Sequence, residues 1–188
     1  MVSIGIYYGS TTGNTECAAL KIGEALGTYV SGVWDIHRRE AEELLESDVL
    51  LFGCPTWHIG ELQDDWYDFL PKIRTLDLTG KKVGFFGLGD SWGYGDNFLD
   101  ALGLLWEEIA PLGKPELIGV WPTAGYDFEA SKGLFDEKHF VGLGLDEDNE
   151  PHLHETRIRG WTNQLLRELG LPIVETRADE HQRVVSVG

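Results

Sequence analysis

Apolar runs of strand length alternate with amphipathic helical stretches five times along this chain, and that alternation constrains the fold more than any other feature. The strand-like runs are residues 2–8, 29–36, 49–53, 82–87 and 117–121; helical patterns follow at residues 16–26, 38–45, 63–73, 98–109 and 156–169. Val49-Leu50-Leu51-Phe52-Gly53 is apolar on both faces, as a central parallel strand is when helices cover both sides. The helical stretches each carry one apolar stripe, such as Ala18, Ala19, Ile22 and Leu26, or Trp66, Phe69, Leu70 and Ile73. Such alternation predicts an α/β fold: a doubly wound five-stranded parallel sheet with helices on both faces. Ligands of these sheets sit beyond the carboxyl ends of the strands, where the winding direction reverses. The loops after strands one, three and four are therefore the places to look.

Two segments depart from simple alternation. Residues 122–145 are too many for a plain connection, and Phe140-Val141-Gly142-Leu143 within them reads as a strand returning to the sheet. The segment is then a long insertion that splits the last strand. After Pro172, Ile173-Val174 and Val184-Val185 flank a polar middle, where a loose end is favoured over an added edge strand. The expected organisation is one domain over residues 1–170 and a C-terminal extension over 171–188.

The loop after the first strand is Gly9-Ser10-Thr11-Thr12-Gly13-Asn14-Thr15. Its backbone N–H groups can wrap an anion at the following helix N-terminus, where the macrodipole also favours negative charge. Ser10, Thr11, Thr12 and Thr15 can add hydroxyl donors. It has no Gly-Lys-Ser/Thr for a nucleoside triphosphate and is not G-x-G-x-x-G, so a single phosphate group is the better guest. Taken alone, the loop reads equally well as a Ser/Thr/Gly turn capping an ordinary helix.

The third strand runs into Gly53-Cys54-Pro55-Thr56-Trp57-His58-Ile59-Gly60, and the fourth into Gly87-Leu88-Gly89-Asp90-Ser91-Trp92-Gly93-Tyr94-Gly95-Asp96-Asn97. Large rings in glycine-rich loops have little core to pack into. Either ring alone could fold back onto the body of the protein; a flat ligand between Trp57 and Tyr94 would give both a partner, each face-on contact adding roughly 1 kcal/mol. Trp92 is ambiguous and is not assigned. A planar ring with one phosphate describes flavin mononucleotide (FMN).

G-S-T-T-G-N-T after the first strand, P-T-W-x-I-G-E-L-Q after the third and G-L-G-D-x-x-G-Y-x-D-N-F after the fourth resemble flavodoxin. The insertion, with Gly125-Tyr126-Asp127-Phe128 and Leu145-Asp146-Glu147-Asp148-Asn149, resembles the long-chain subgroup. The resemblance implies that Ser10, Thr11, Thr12, Gly13, Asn14 and Thr15 hold the phosphate of FMN, and that Trp57 and Tyr94 enclose the ring system. It places Thr56 and Asp146 near the ribityl chain and Asp90 at the pyrimidine edge. Pro55, His58, Ile59, Gly60, Gly89 and Asn97 complete the cofactor-contacting loops.

The family are low-potential one-electron carriers, shuttling between semiquinone and hydroquinone, rather than enzymes with a substrate of their own. The three loops contain no lysine or arginine, so an added negative charge finds no counter-ion there. The family's peptide flip beside the flavin falls by position on His58-Ile59, where many relatives carry glycine or asparagine. The competing reading is an FMN-dependent NAD(P)H:quinone reductase of the same fold, which needs an open pocket that two enclosing rings leave little room for. A receiver-type signalling module is dismissed, because the third strand ends in Gly53-Cys54-Pro55 rather than an aspartate.

A formal charge of −17 over 188 residues argues against nucleic acid and anionic membranes as partners. It favours redox proteins with basic docking faces, of the ferredoxin–NADP reductase, photosystem I or nitrogenase reductase type, met by a monomer. Glu61, Asp64, Asp65, Asp68, Asp96, Asp100, Asp127 and Glu129 are the acidic residues nearest the site. Cys17 and Cys54 have neither metal-ligand nor C-x-x-C spacing and six scattered histidines form no site, so no metal is expected. No apolar run reaches membrane-spanning length. The chain enters a strand at once, so a cytoplasmic protein is expected, or one of the organelle stroma if a transit peptide was removed.

Overall fold

The computed structural model describes residues 2–174. In chain order the elements are β1 (Ile4–Tyr8), α1 (Asn14–Leu26), β2 (Val30–Asp35), β3 (Val49–Gly53), β4 (Thr56–Trp57), β5 (Glu61–Leu62) and α2 (Asp64–Ile73). There follow β6 (Lys82–Leu88), α3 (Asp100–Ile109), β7 (Glu116–Leu117), β8 (Trp121–Pro122), β9 (Leu134–Asp136), β10 (His139–Phe140), β11 (Gly142–Leu145) and α4 (His154–Glu168).

The main sheet runs β11-β6-β3-β1-β2 with every pair parallel. From β1 the chain winds outward to β2 and then back to β3 on the other side. The reversal lies between β1 and β3, so the crevice beyond their carboxyl ends is the natural binding place. Each face has its own core. Trp66, Phe69, Leu102 and Leu105 pack over one, and Ala19, Ile22, Trp161 and Leu165 over the other. Both fully buried indoles find an acceptor: Trp66 Nε1 donates to the Gly53 carbonyl at 3.0 Å, and Trp161 Nε1 to that of Gly119 at 2.7 Å.

The last strand is split as expected. Glu116 and Leu117 lie against Lys82 and Val83, and Gly142 to Leu145 take up the same edge against Phe85 to Leu88. The expected strand over 117–121 is corrected at its far end. Gly119 turns with φ 71°, and Trp121 leaves to pair with Phe140 in a small antiparallel sheet, β8-β10-β9. A Cβ at Gly119 would stand 2.7 Å from Trp161 Nε1, so the bend and the close approach both require glycine. Phe140 thus belongs to the small sheet, and the returning strand begins at Gly142.

The helix expected over residues 38–45 is also corrected. Two 3-10 turns, Ile36–Arg38 and Ala41–Glu46, flank an extended Arg39 with φ −124° and ψ 152°. The Arg39 guanidinium pairs with Glu43 and sits 4.9 Å from the centre of the Trp34 ring on β2, and the second of these is a tertiary contact that local helix propensity does not foresee. A run this short gains too little from helical propagation to resist them. Of the extension expected from residue 171, Leu171 and Val174 pack on the core beside α1 and α4; residues 175–188, including Val184-Val185, lie outside the described residues.

Candidate functional site: a cleft at the strand ends

The loops after β1, β3 and β6 and the turn after β11 converge on one cleft of about 300 Å³. Thr12, Asn14 and Thr15 line one end, Pro55, Thr56 and Trp57 one wall, and Leu88, Gly89 and Asp90 another. Glu147 and Asp148 close it. No lysine or arginine is among these lining residues.

At the first end, Gly13 adopts φ 88° to turn the chain into α1, and no side chain caps the helix. Its amide donates to Ser10 Oγ at 3.1 Å, so Ser10 braces the loop from within. The uncapped first-turn amides, with the Thr12 and Thr15 hydroxyls beside them, make an end chemically suited to an anion. Thr11 departs from its expected part. Its hydroxyl accepts from Gln63 Nε2 at 3.2 Å, and it is absent from the cleft's lining.

The second wall is the β4–β5 hairpin, with Thr56 paired to Leu62 and Trp57 to Glu61. Thr56 Oγ1 accepts the Ala101 amide at 3.3 Å, fixing the hairpin to α3. At the tip His58 takes φ 48° and Gly60 φ 81°. A Cβ at Gly60 would stand 2.4 Å from Asp100 Oδ2, so angle and space both demand glycine there. Trp57 is half-buried, and among the described residues its one ring partner is His58, edge-on at 5.9 Å. Ile59 is 76 % exposed.

The third loop is built on Asp90, whose Oδ1 accepts the amides of Trp92 at 3.1 Å and Gly93 at 2.7 Å. Tyr94 closes the turn onto the Asp90 carbonyl and is 53 % exposed, with no ring partner among the described residues. The Gly95 carbonyl accepts the amides of Glu129 and Ala130, so the insertion buttresses this loop. Asn97 is half-buried and donates to Asp100 Oδ2 at 3.1 Å rather than lining the cleft.

Asp146 departs most from its expected place beside a ribityl chain. It is fully buried, and its Oδ2 accepts from the amide and hydroxyl of Ser91 while its Oδ1 accepts from the Asn149 amide at 2.9 Å. Burial pushes its pKa up, but the hydrogen bonds from Ser91 and Asn149 outweigh that and hold it below the usual carboxylate value. Asn149 Nδ2 reaches both Asp90 and Asp146 at 2.9 Å, locking the third loop to the acidic turn. Ser91, Asn149 and Gln63 belong to the site's frame although none is among the residues expected to contact the ligand. The Asp146-x-x-Asn149 spacing was a usable signal, since aspartates commonly close turns of that length. Cys54 is buried under the hairpin, which raises its thiol pKa and keeps it inert.

Fold and site together define a doubly wound α/β protein whose cleft has an end suited to an anion, acidic walls, and two adjoining loops that carry loosely packed aromatic rings. A family model described as flavodoxin matches residues 6–161. A flavodoxin of Klebsiella pneumoniae is 49 % identical over 171 residues, covering 91 % of this chain and 97 % of its own. One of a Synechocystis strain is 46 % identical over 166 residues, covering 88 % and 96 %. Among solved structures, Fusobacterium nucleatum flavodoxin bound to flavin mononucleotide superposes with a TM-score of 0.83 at 29 % identity, covering 89 % of this chain and 99 % of that one. The chain belongs to the flavodoxin family.

Proposed function

We propose that this chain binds FMN non-covalently in the cleft and carries single electrons at low potential between redox partner proteins. One observation carries the reading: the cleft joins an uncapped helix N-terminus to the half-buried Trp57 ring and lines the space between with carboxylates and no cation, while Tyr94, outside that lining, stands 53 % exposed on the loop that carries Asp90. The residues fit the group. Thr12, Asn14, Thr15 and the first-turn amides of α1 would hold the phosphate, Thr56 and Gly89 would flank the ribityl chain, and Trp57 and Tyr94 would offer faces to the ring. Bound FMN would supply the one-electron chemistry.

The protein tunes that chemistry through its walls. Asp90, Glu147 and Asp148 oppose added negative charge, and the aromatic faces lower the local dielectric, so an electron held there leaves readily. With FMN between them, Trp57 and Tyr94 would leave little room for a second substrate, which favours an electron carrier over a quinone reductase. The His58 carbonyl at the hairpin tip is the acceptor that the family's peptide flip would turn inward.

Exposed Glu61, Asp64, Asp68, Asp96, Asp127 and Glu129 supply the acidic docking rim. Asp65 and Asp100 drop out of that rim. Asp65 is half-buried and accepts from Gln63, while buried Asp100 accepts the Lys132 amide at 2.7 Å. Basic partners of the ferredoxin–NADP reductase, photosystem I or nitrogenase reductase type suit it, met by a monomer. No helix among the described residues is long and apolar enough to cross a membrane. A cytoplasmic setting is supported by the two free cysteines, and the insertion over residues 118–141 by its length suits the long-chain subgroup.

Titration of the apoprotein with FMN, riboflavin and FAD, followed by fluorescence quenching, tests the reading. FMN is expected to bind most tightly. Equal affinity for riboflavin would mean that the loop after β1 is no phosphate site.

A further inference from the structure

Under the loop after β1 lies a buried amide with half of its hydrogen-bonding capacity unused. Gln63 follows β5 directly and is 2 % exposed. Its Nε2 donates to Asp65 Oδ2 at 2.6 Å and to Thr11 Oγ1 at 3.2 Å. An ionised carboxylate only accepts, so the nitrogen must face Asp65 and the oxygen must face the other way. That oxygen, Oε1, is buried with no partner and lies against Gly9, where a Cβ would approach it to 2.2 Å. Gln63 is thus wedged between the end of β1 and the hairpin that follows β3, and Gly9 itself donates to the Gly53 carbonyl at 3.0 Å across the same gap.

We propose that Gln63 is a positioning residue that sets the phosphate-binding shape of the loop over residues 10–15 and ties it to the hairpin carrying Trp57. The proposal rests on the FMN reading. Gln63 holds the Thr11 side chain outside the cleft, which leaves Thr12, Asn14 and Thr15 as the lining. An orphaned buried acceptor is a burden that native structures rarely carry without reason. Here the amide cannot turn over without setting its oxygen against the Asp65 carboxylate, which only accepts; the Thr11 hydroxyl could serve either end. Because Gln63 immediately follows the hairpin's second strand, loop and hairpin share one anchor. Phosphate recognition then depends on a residue that touches no phosphate.

The test compares FMN with riboflavin, which lacks the phosphate, on wild-type apoprotein, Gln63→Met, Thr11→Val and the double variant. Gln63→Met keeps the bulk and removes both polar atoms. It is expected to lower the FMN-to-riboflavin affinity ratio about tenfold, as is Thr11→Val, with the double variant no worse than the poorer single. An unchanged ratio in Gln63→Met, or an equal loss for both ligands, would overturn the proposal. If Gln63→Met fails to fold by circular dichroism, Thr11→Val decides alone, and an unchanged ratio there overturns it. A wild-type apoprotein with no preference for FMN would instead overturn the FMN reading, whatever the variants do.

Discussion

Asp146 and Ser91 are joined twice: Asp146 Oδ2 accepts the Ser91 amide at 2.9 Å and the Ser91 hydroxyl at 2.6 Å. The pair fastens the loop after β6 to the turn after β11, two walls of one cleft. Asp146→Asn would set an NH₂ against donors or leave them unpaired, at a cost of about 1–3 kcal/mol at neutral pH. Because hydrogen bonds depress the pKa of Asp146 below its ordinary 3.8, its contribution is complete above that value and is lost as pH falls through the folded one. Urea unfolding should show a steady gap between wild type and variant at neutral pH that closes under strong acid. A gap undiminished by acid would contradict this account.

His58 holds φ 48°, where a residue with a Cβ is tolerated only in the left-handed helical well. Turning the His58-Ile59 peptide over changes ψ of His58 by about half a turn, into a region open essentially to glycine. His58→Gly should therefore ease the flip and raise the potential of the first one-electron step by roughly 40–100 mV. Spectroelectrochemistry of the FMN-loaded protein reads this directly. An unchanged potential would remove His58 from the account.

His154 is buried at the start of α4, with Nδ1 3.2 Å from Glu147 Oε2 and Nε2 buried without a partner. Burial lowers its pKa from 6.5; Glu147 pulls it up, and Lys21 and Arg157 push it further down. The folded protein then binds fewer protons than the unfolded chain just below pH 6.5, so stability rises with pH through that window. The slope cannot exceed about 1.4 kcal/mol per pH unit for one group. His154→Gln should flatten the wild-type dependence in chemical denaturation. A variant with the same slope as wild type would show that another group titrates.

The proposed acidic rim would make encounters with a basic redox partner electrostatic. Above about 0.1 M salt, where the Debye length falls to roughly 10 Å, electron-transfer rates to such a partner should drop steeply. Stopped-flow measurement over an ionic-strength series checks this. A flat series would exclude steering by Glu61, Asp64, Asp68 and their neighbours.

The sequence pattern carried the sheet well because β3 and β6 are apolar on both faces and cannot be surface strands. Even the split of the last strand was legible, since Phe140 to Leu143 stood out as apolar in a long polar stretch. Its boundaries were not, because Trp121 and Phe140 suit the main sheet and the small one equally, and only the bend at Gly119 against Trp161 decides between them. The glutamate-rich run after β2 read as helix by propensity, whereas the Arg39 contact with Trp34 is tertiary. In the site, residue types located the three loops but not the direction of their side chains. Thr11 and Thr12 are adjacent and chemically identical, yet one faces Gln63 and the other the cleft. Asp146 is expected near the ribityl chain by resemblance alone, and its burial goes with hydrogen bonds from Ser91, distant in sequence.

The most direct test is stepwise anaerobic photoreduction of the FMN-loaded protein, followed by visible and electron paramagnetic resonance spectra. Two resolved one-electron steps are predicted, the first giving a stable radical signal and the second requiring a strong reductant. Direct bleaching in a single two-electron step, with NADPH alone sufficient, would contradict the account and mark the chain as a reductase.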